Sequence, residues 1–182
     1  NKNLEISNIG NSEEEKKVII ENMWGNYGRI LSEYVFLKKF RKNNLNNFLE
    51  IEGSQVLNQI NVNNEQVVFI SGHFNNFELM AMAIEKSGIN LCAIYRPLNN
   101  PFLNIIMEKI RKNYICKKQI KKGKSGTRDL IDLVKKKYSV ALMIDQRVSE
   151  GDTINFFNRP AKTTTIPAQL VKKYGCKIVP VY

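Results

Sequence analysis

Histidine is almost absent from this 182-residue sequence, which contains one, His73. Cysteine is nearly as scarce. Cys92, Cys116 and Cys176 stand far apart with no Cys-x-x-Cys pair, so beside a single histidine no tetrahedral metal site is expected. An odd, scattered set also implies reduced thiols in a cytosolic compartment rather than a disulfide framework. Cys92 and Cys176 sit inside apolar runs, as core residues do. Long hydrophobic runs are missing as well. "VVFI" and "VALMI" are strand-sized, short of the ~18–20 apolar residues that cross a bilayer, and no secretory signal pattern is present. The sequence opens "NKNLEI" without an initiator methionine, which leaves room for an anchor or targeting segment upstream.

Acidic residues are outnumbered, 17 against 28 Lys+Arg, for a net charge of +11 and a pI near 9.6. Such a charge attracts polyanions: nucleic acid, anionic lipid headgroups, phosphorylated substrates or an acidic carrier protein. The abundance of Asn, Lys and Ile points to compositional bias as a partial cause. With 43% hydrophobic and 25% charged residues the chain reads as one folded globular domain.

Residues 1–48 are helical in pattern. "NSEEEKKVIIENMW" offers a serine cap and an acidic first turn; after Gly25, "YGRILSEYVFLKKF" repeats the apolar spacing and ends in bases. Two helices or one kinked helix are expected, with Tyr27, Ile30, Leu31, Tyr34 and Leu37 buried. Over 49–182 strands and helices alternate: "VVFIS", "FELMAMAIEKSG", "NLCAIYR", "NPFLNIIMEKIRKN", "SGTRDLIDLVKKK", "SVALMID", a short "TINFF", "TTIPAQLVKKYG" and "KIVPVY". Strands separated by helices of this length predict an α/β fold with a largely parallel central sheet covered by helices. The finish inside an apolar strand implies that the domain continues beyond this sequence.

His73 follows an apolar strand and a Ser-Gly pair, where a parallel sheet presents its ligand-binding edge. Asn75 and Asn76 are good helix caps, so a turn should separate His73 from Glu78 and let the carboxylate reach back to the imidazole. A carboxylate on one ring nitrogen fixes the tautomer and leaves the other free to act as general base. No G-x-S-x-G elbow supplies an enzyme nucleophile, so the hydroxyl that His73 would activate belongs to a substrate.

Basic and polar groups recur at other strand ends. "YRPLNNP" carries Arg96; "KKGKSGTRD" has Lys124 and Arg128 around an anion-binding type of turn but lacks the Walker A spacing; "MIDQR" supplies Asp145, Gln146 and Arg147; "FFNRPAKTTT" sets Arg159 and Lys162 behind Phe156 and Phe157. Each alone is an ordinary solvated charge. Together they predict that His73, Arg96 and Asp145 converge on one cleft, with Glu78 in reach of His73 and Phe156 or Phe157 at its border. Cys92 and Cys176 should be buried away from it.

"SGHFNNFE", "YRPLNNP", "KGKSGTR", "MIDQR" and "INFFNRPAKTTTIPAQLVKKYGCKIVPVY", in that order, resemble the bacterial lipid A biosynthesis late (lauroyl/myristoyl) acyltransferases of the lysophospholipid acyltransferase superfamily. The resemblance spans roughly residues 50–182. It implies an acyltransferase-type fold with His73 as base and Glu78 as its partner. The transfer it implies runs from acyl carrier protein to a hydroxyl of a phosphorylated glycolipid, the lipid A precursor, with no cofactor and no metal. Arg96, the Asp145–Gln146–Arg147 block and the Phe157/Arg159 block match the family's pocket motifs, and Phe74, Asn76, Lys124 and Arg128 fall among the implied substrate contacts. Asn158 and Asn75 stand where the family usually has glycine. The implied location is the cytoplasmic face of the bacterial inner membrane, against its anionic surface, peripheral or held by a segment outside this sequence. A different lipid or glycolipid acceptor within the same superfamily is the alternative. A nucleic-acid module is disfavoured by the lack of an RNP-like aromatic pair, a helix-turn-helix or a zinc site.

Overall fold

A computed structural model describes residues 2–42 and 49–182, apart from the side chain of Lys124. The expected boundary after residue 48 borders a segment, 43–48, that lies outside the described residues.

The chain begins with a short helix α1 (Lys2–Ile6) and a 21-residue helix α2 (Glu13–Glu33). Ser12 caps α2 by accepting a hydrogen bond from the Glu15 amide, and the acidic first turn complements the helix dipole. Gly25 does not interrupt it, so the expected break there is absent. A 3₁₀ turn (Tyr34–Phe36) leads instead into α3 (Leu37–Lys42). Ile30 and Leu37 are buried as expected, but Tyr27 and Leu31 are exposed, because only one edge of α2 meets the body of the protein.

After α4 (Ser54–Val62), β1 (Val67–Ser71), α5 (Glu78–Lys86), β2 (Leu91–Tyr95), α6 (Pro101–Ile110), a π turn (Arg111–Ile115), β3 (Lys118–Lys121), α7 (Lys124–Lys135) and β4 (Ser139–Met143) follow in order. A hairpin, β5 (Asp152–Phe156) with β6 (Arg159–Thr163), precedes α8 (Ile166–Tyr174) and β7 (Lys177–Pro180). The main sheet is parallel in the order β3-β2-β4-β1-β7, as the alternating pattern predicts.

Strand side chains alternate between two cores. Val67, Phe69, Leu91 and Ala141 pack under α3, α4, α5 and the π turn. Val68, Cys92, Val140 and Leu142 pack under α7 and α8 with Cys176. Both faces are therefore covered, which is why these strands read as continuous apolar runs. Gly126 permits one close approach: a Cβ there would stand 1.7 Å from the Lys121 carbonyl oxygen, so only glycine lets α7 pass so near the end of β3. No helix among the described residues is long and apolar enough to cross a membrane.

Two consequences of this order position the site. β4 enters between β1 and β2, so the loops that follow these three strands leave the same edge side by side. Ala93 of β2 also lies in register with Ala141 of β4, leaving the sheet low at that point.

Candidate active site

The loop after β1 turns tightly before α5 begins. Gly72 leaves room for a close approach: a Cβ would come 2.9 Å from the Phe74 ring and 3.2 Å from Asp145 Oδ2, so a larger residue would have to displace the Phe74 ring and crowd Asp145. Asn75 takes a left-handed conformation (φ 40°), which asparagine tolerates better than most residues. Neither Asn75 nor Asn76 caps the helix; Phe77 occupies the cap position without a side-chain bond. Asn76 instead donates to Glu33 Oε2 at 2.6 Å, tying the loop to α2.

His73 is held by the residue that follows β4. The Asp145 carboxylate accepts the His73 backbone N–H on Oδ2 and the ring Nδ1 on Oδ1, each at 2.8 Å. Partial burial pushes the Asp145 carboxyl up. The hydrogen bonds from the His73 amide and ring, with the imidazole's charge, outweigh that and hold it below the usual range. With the proton on Nδ1, the Nε2 lone pair faces away from Asp145, and the Gln146 amide lies 3.4 Å from it. Phe77 packs edge-on against the imidazole, ring centroids 4.7 Å apart.

Glu78 does not make the expected contact. As the first residue of α5 it turns into the protein, where it is buried. One oxygen, Oε1, accepts the Tyr34 hydroxyl, Arg111 Nε at 2.9 Å and Arg111 Nη2 at 2.6 Å. These partners come from the 3₁₀ turn that follows α2 and from the π turn. Arg111 also lies over the Tyr95 ring, 5.7 Å from its centroid. Burial, followed by the charge of Glu78, drives the Tyr34 hydroxyl well above its ordinary value, so it is a donor at every working pH. The carboxylate assigned to His73 on spacing is thus engaged by a cation and a phenol, and a residue 72 positions along the chain takes its place.

His73 and Glu78 both line a cleft of about 420 Å³ at the C-terminal edge of the sheet. Its floor is apolar and low, with Ala81, Ala93, Ala141 and Leu142, and its rim carries Arg96, Leu98, Lys122 and Gln146. Of the three residues expected to converge, His73 and Arg96 line the cleft; Asp145 is outside its lining and is tied to it only through its bonds to His73. Cys92 and Cys176 are buried in the opposite core, away from the cleft.

Several expected members lie elsewhere. Phe156 and Phe157 do not border the cleft; they stack edge to face at the tip of the β5–β6 hairpin, largely exposed. Phe157 and Asn158 form its two-residue turn, both with positive φ (49° and 58°), a conformation that asparagine accepts more readily than most residues. Arg147, Arg128 and Arg159 are exposed and outside the cleft lining, because each points from a loop, helix or hairpin face turned to solvent. Phe74 is 58% exposed with its ring over Gly72. Asn76 is engaged by Glu33, and the Lys124 side chain lies outside the described residues. Sequence reasoning missed Tyr34 and Arg111. A tyrosine on a helical stripe and an arginine in a lysine-rich stretch carry no local mark, and only the tertiary fold brings them to Glu78.

The chain matches the family model for bacterial lipid A biosynthesis acyltransferases over residues 1–182. It is 19% identical over 182 residues to a lipid A biosynthesis myristoyltransferase of Escherichia coli (strain K12), covering 99% of this chain and 56% of that protein. It is 20% identical over 185 residues to a lipid A biosynthesis acyltransferase 2 of Shigella flexneri, with 99% and 57% coverage. The chain thus spans a little over half the length of the curated relatives it matches.

Proposed function

Because the chain belongs to the bacterial lipid A biosynthesis acyltransferase family, we propose that its cleft carries O-acyl transfer from an acyl carrier protein thioester to a hydroxyl of the lipid A precursor. The observation that carries this reading is the His73 imidazole, pinned at Nδ1 by Asp145 with Nε2 turned to an apolar-floored cleft.

In the proposed reaction the acceptor hydroxyl binds at Nε2, displacing the Gln146 amide. As its oxygen attacks the thioester carbonyl, Nε2 takes the proton and Asp145 stabilises the imidazolium that forms. The tetrahedral intermediate collapses by breaking the carbon–sulfur bond. The imidazolium then returns its proton to the leaving thiolate, leaving an ester and a free carrier thiol. No covalent enzyme intermediate is required. The Gln146 amide, freed from Nε2, is available to donate to the oxyanion. Arg96 and Lys122 at the rim suit a phosphorylated acceptor, and the small side chains over β2 and β4 leave room for the acyl chain. Glu78 acts at one remove: it fixes Arg111, and through it the cleft wall.

The experiment is transfer of a radiolabelled acyl chain from its carrier thioester to the lipid A precursor by the full-length protein and by His73→Ala. Loss of a general base lowers turnover ~10²–10⁴-fold. Near-normal turnover by a folded His73→Ala protein would remove His73 from the mechanism.

A further inference from the structure

Helix α6 turns most of its apolar surface outward. Toward the protein, Ile110 packs on the core, but the rest of the contact is largely polar: Glu108 accepts from the Tyr95 hydroxyl at 2.6 Å and from Asn104 at 2.7 Å, while Asn104 accepts the Leu98 amide at 2.9 Å. The side facing solvent is apolar. Phe102 and Ile105 are 78% and 67% exposed, Leu103 and Ile106 more than half, and no residue of the helix is fully buried. A surface helix in a globular protein normally shows the reverse. Here the hydrogen bonds and the Ile110 contact hold α6 in place, and among the described residues nothing covers its outer apolar face.

The charge around it is equally uneven. Between Lys86 and Arg128 there are eleven basic residues and one acid, Glu108, so this stretch holds nearly all of the chain's net +11. It folds as the β2–α6–β3 end of the sheet, with Lys109, Lys112, Lys117 and Lys118 exposed near the apolar helix. Leu98 and Asn99, on the loop that opens into α6, also line the cleft.

We propose that the outer face of α6 inserts into an anionic lipid bilayer, with the surrounding lysines on the headgroups, and sets the mouth of the cleft at the lipid surface. Apolar side chains ringed by cations are the signature of an interfacial helix on anionic lipid. A second copy of the chain is disfavoured, since two such basic ends would repel across a symmetric contact. An acidic protein would satisfy the lysines but gives no reason for four large apolar side chains on one exposed helix. The surface deepens the proposed function, because an acceptor resident in a membrane has to enter a cleft that opens there.

The test is co-sedimentation of the chain with phosphatidylcholine vesicles, with or without a minority of phosphatidylglycerol. Its comparisons are Phe102→Ser with Ile105→Ser on α6, and Leu31→Ser with Val35→Ser on another exposed apolar stripe, that of α2 and the 3₁₀ turn after it. The parent should pellet with phosphatidylglycerol vesicles and be released by salt. The α6 variant should bind at least about tenfold more weakly with unchanged thermal stability, and the α2 variant should bind like the parent. Binding without phosphatidylglycerol, equal binding by the α6 variant, loss in the α2 variant instead, or a dimer or carrier-protein complex that the α6 variant abolishes while vesicles go unbound would each overturn the proposal. His73→Ala should bind vesicles as the parent does, so a failure of acyl transfer and a failure of membrane docking are read separately.

Discussion

Two carboxylates compete for the role of partner to His73, and their surroundings separate them. Asp145 is 40% exposed in its side chain and holds the imidazole by two bonds through the ring and the backbone. Glu78 is buried and already satisfied by Arg111 and Tyr34. Losing one member of a buried ion pair leaves the other charge stranded, at a cost of roughly 3–5 kcal/mol. Glu78→Gln should therefore lower the melting temperature substantially, whereas Asp145→Asn should lower it by a smaller amount but turn over at least ~10²-fold more slowly. Thermal melts alongside single-turnover assays check this pair, and a stable, inactive Glu78→Gln protein would reverse the assignment.

Asp145 also makes a prediction in pH. Its folded-state carboxyl titrates below its unfolded value of ~3.9. The stability it contributes is thus present above about pH 4 and lost as pH falls through the lowered folded value. The difference in melting temperature between parent and Asp145→Asn should hold steady from neutral pH down to about 4 and shrink below it.

At the scale of elements, the sequence conveyed the parallel sheet because both of its faces are covered, which makes β1, β2 and β4 apolar throughout. It did not convey β3. "KQIK" contains one inward-facing apolar residue, Ile120, and the lysines that suit an edge strand hide it among loop residues. α4, the π turn and β6 were silent for similar reasons: short, polar or irregular segments have no sustained period. The site was legible to the extent that strand ends are. His73, Arg96 and Gln146 follow apolar strands and line the cleft, with Asp145 bonded to the imidazole, whereas Arg147 from the same strand end, and Arg128, Phe157 and Arg159, read from a turn motif and the family resemblance, lie away from it.

Elements also carry their own tests. Gly126→Ala forces α7 away from β3, since the added carbon would sit 1.7 Å from the Lys121 oxygen. That variant should lose several degrees of melting temperature, measured by circular dichroism, and a neutral result would show that α7 has freedom to shift. Ala93→Phe fills the low floor between β2 and β4. It should reduce transfer of long acyl chains more than of short ones, and equal loss for both would mean that the acyl chain lies elsewhere.

In the whole molecule three regions far apart in sequence come together. The 3₁₀ turn after α2 and the π turn clamp Glu78, the loops after β1 and β4 present His73 on Asp145, and α6 carries the rim of the cleft outward. All of it turns on the orientation of one imidazole, and the scarcity of histidine makes that orientation measurable. With a single histidine in the chain, nitrogen-15 histidine labelling yields one set of ring signals, each belonging to His73. The neutral ring should carry its proton on Nδ1 in the parent and in a folded Glu78→Gln protein, and should lose that preference in Asp145→Asn. A neutral ring protonated on Nε2, or a tautomer that responds to Glu78→Gln and ignores Asp145→Asn, would contradict the account.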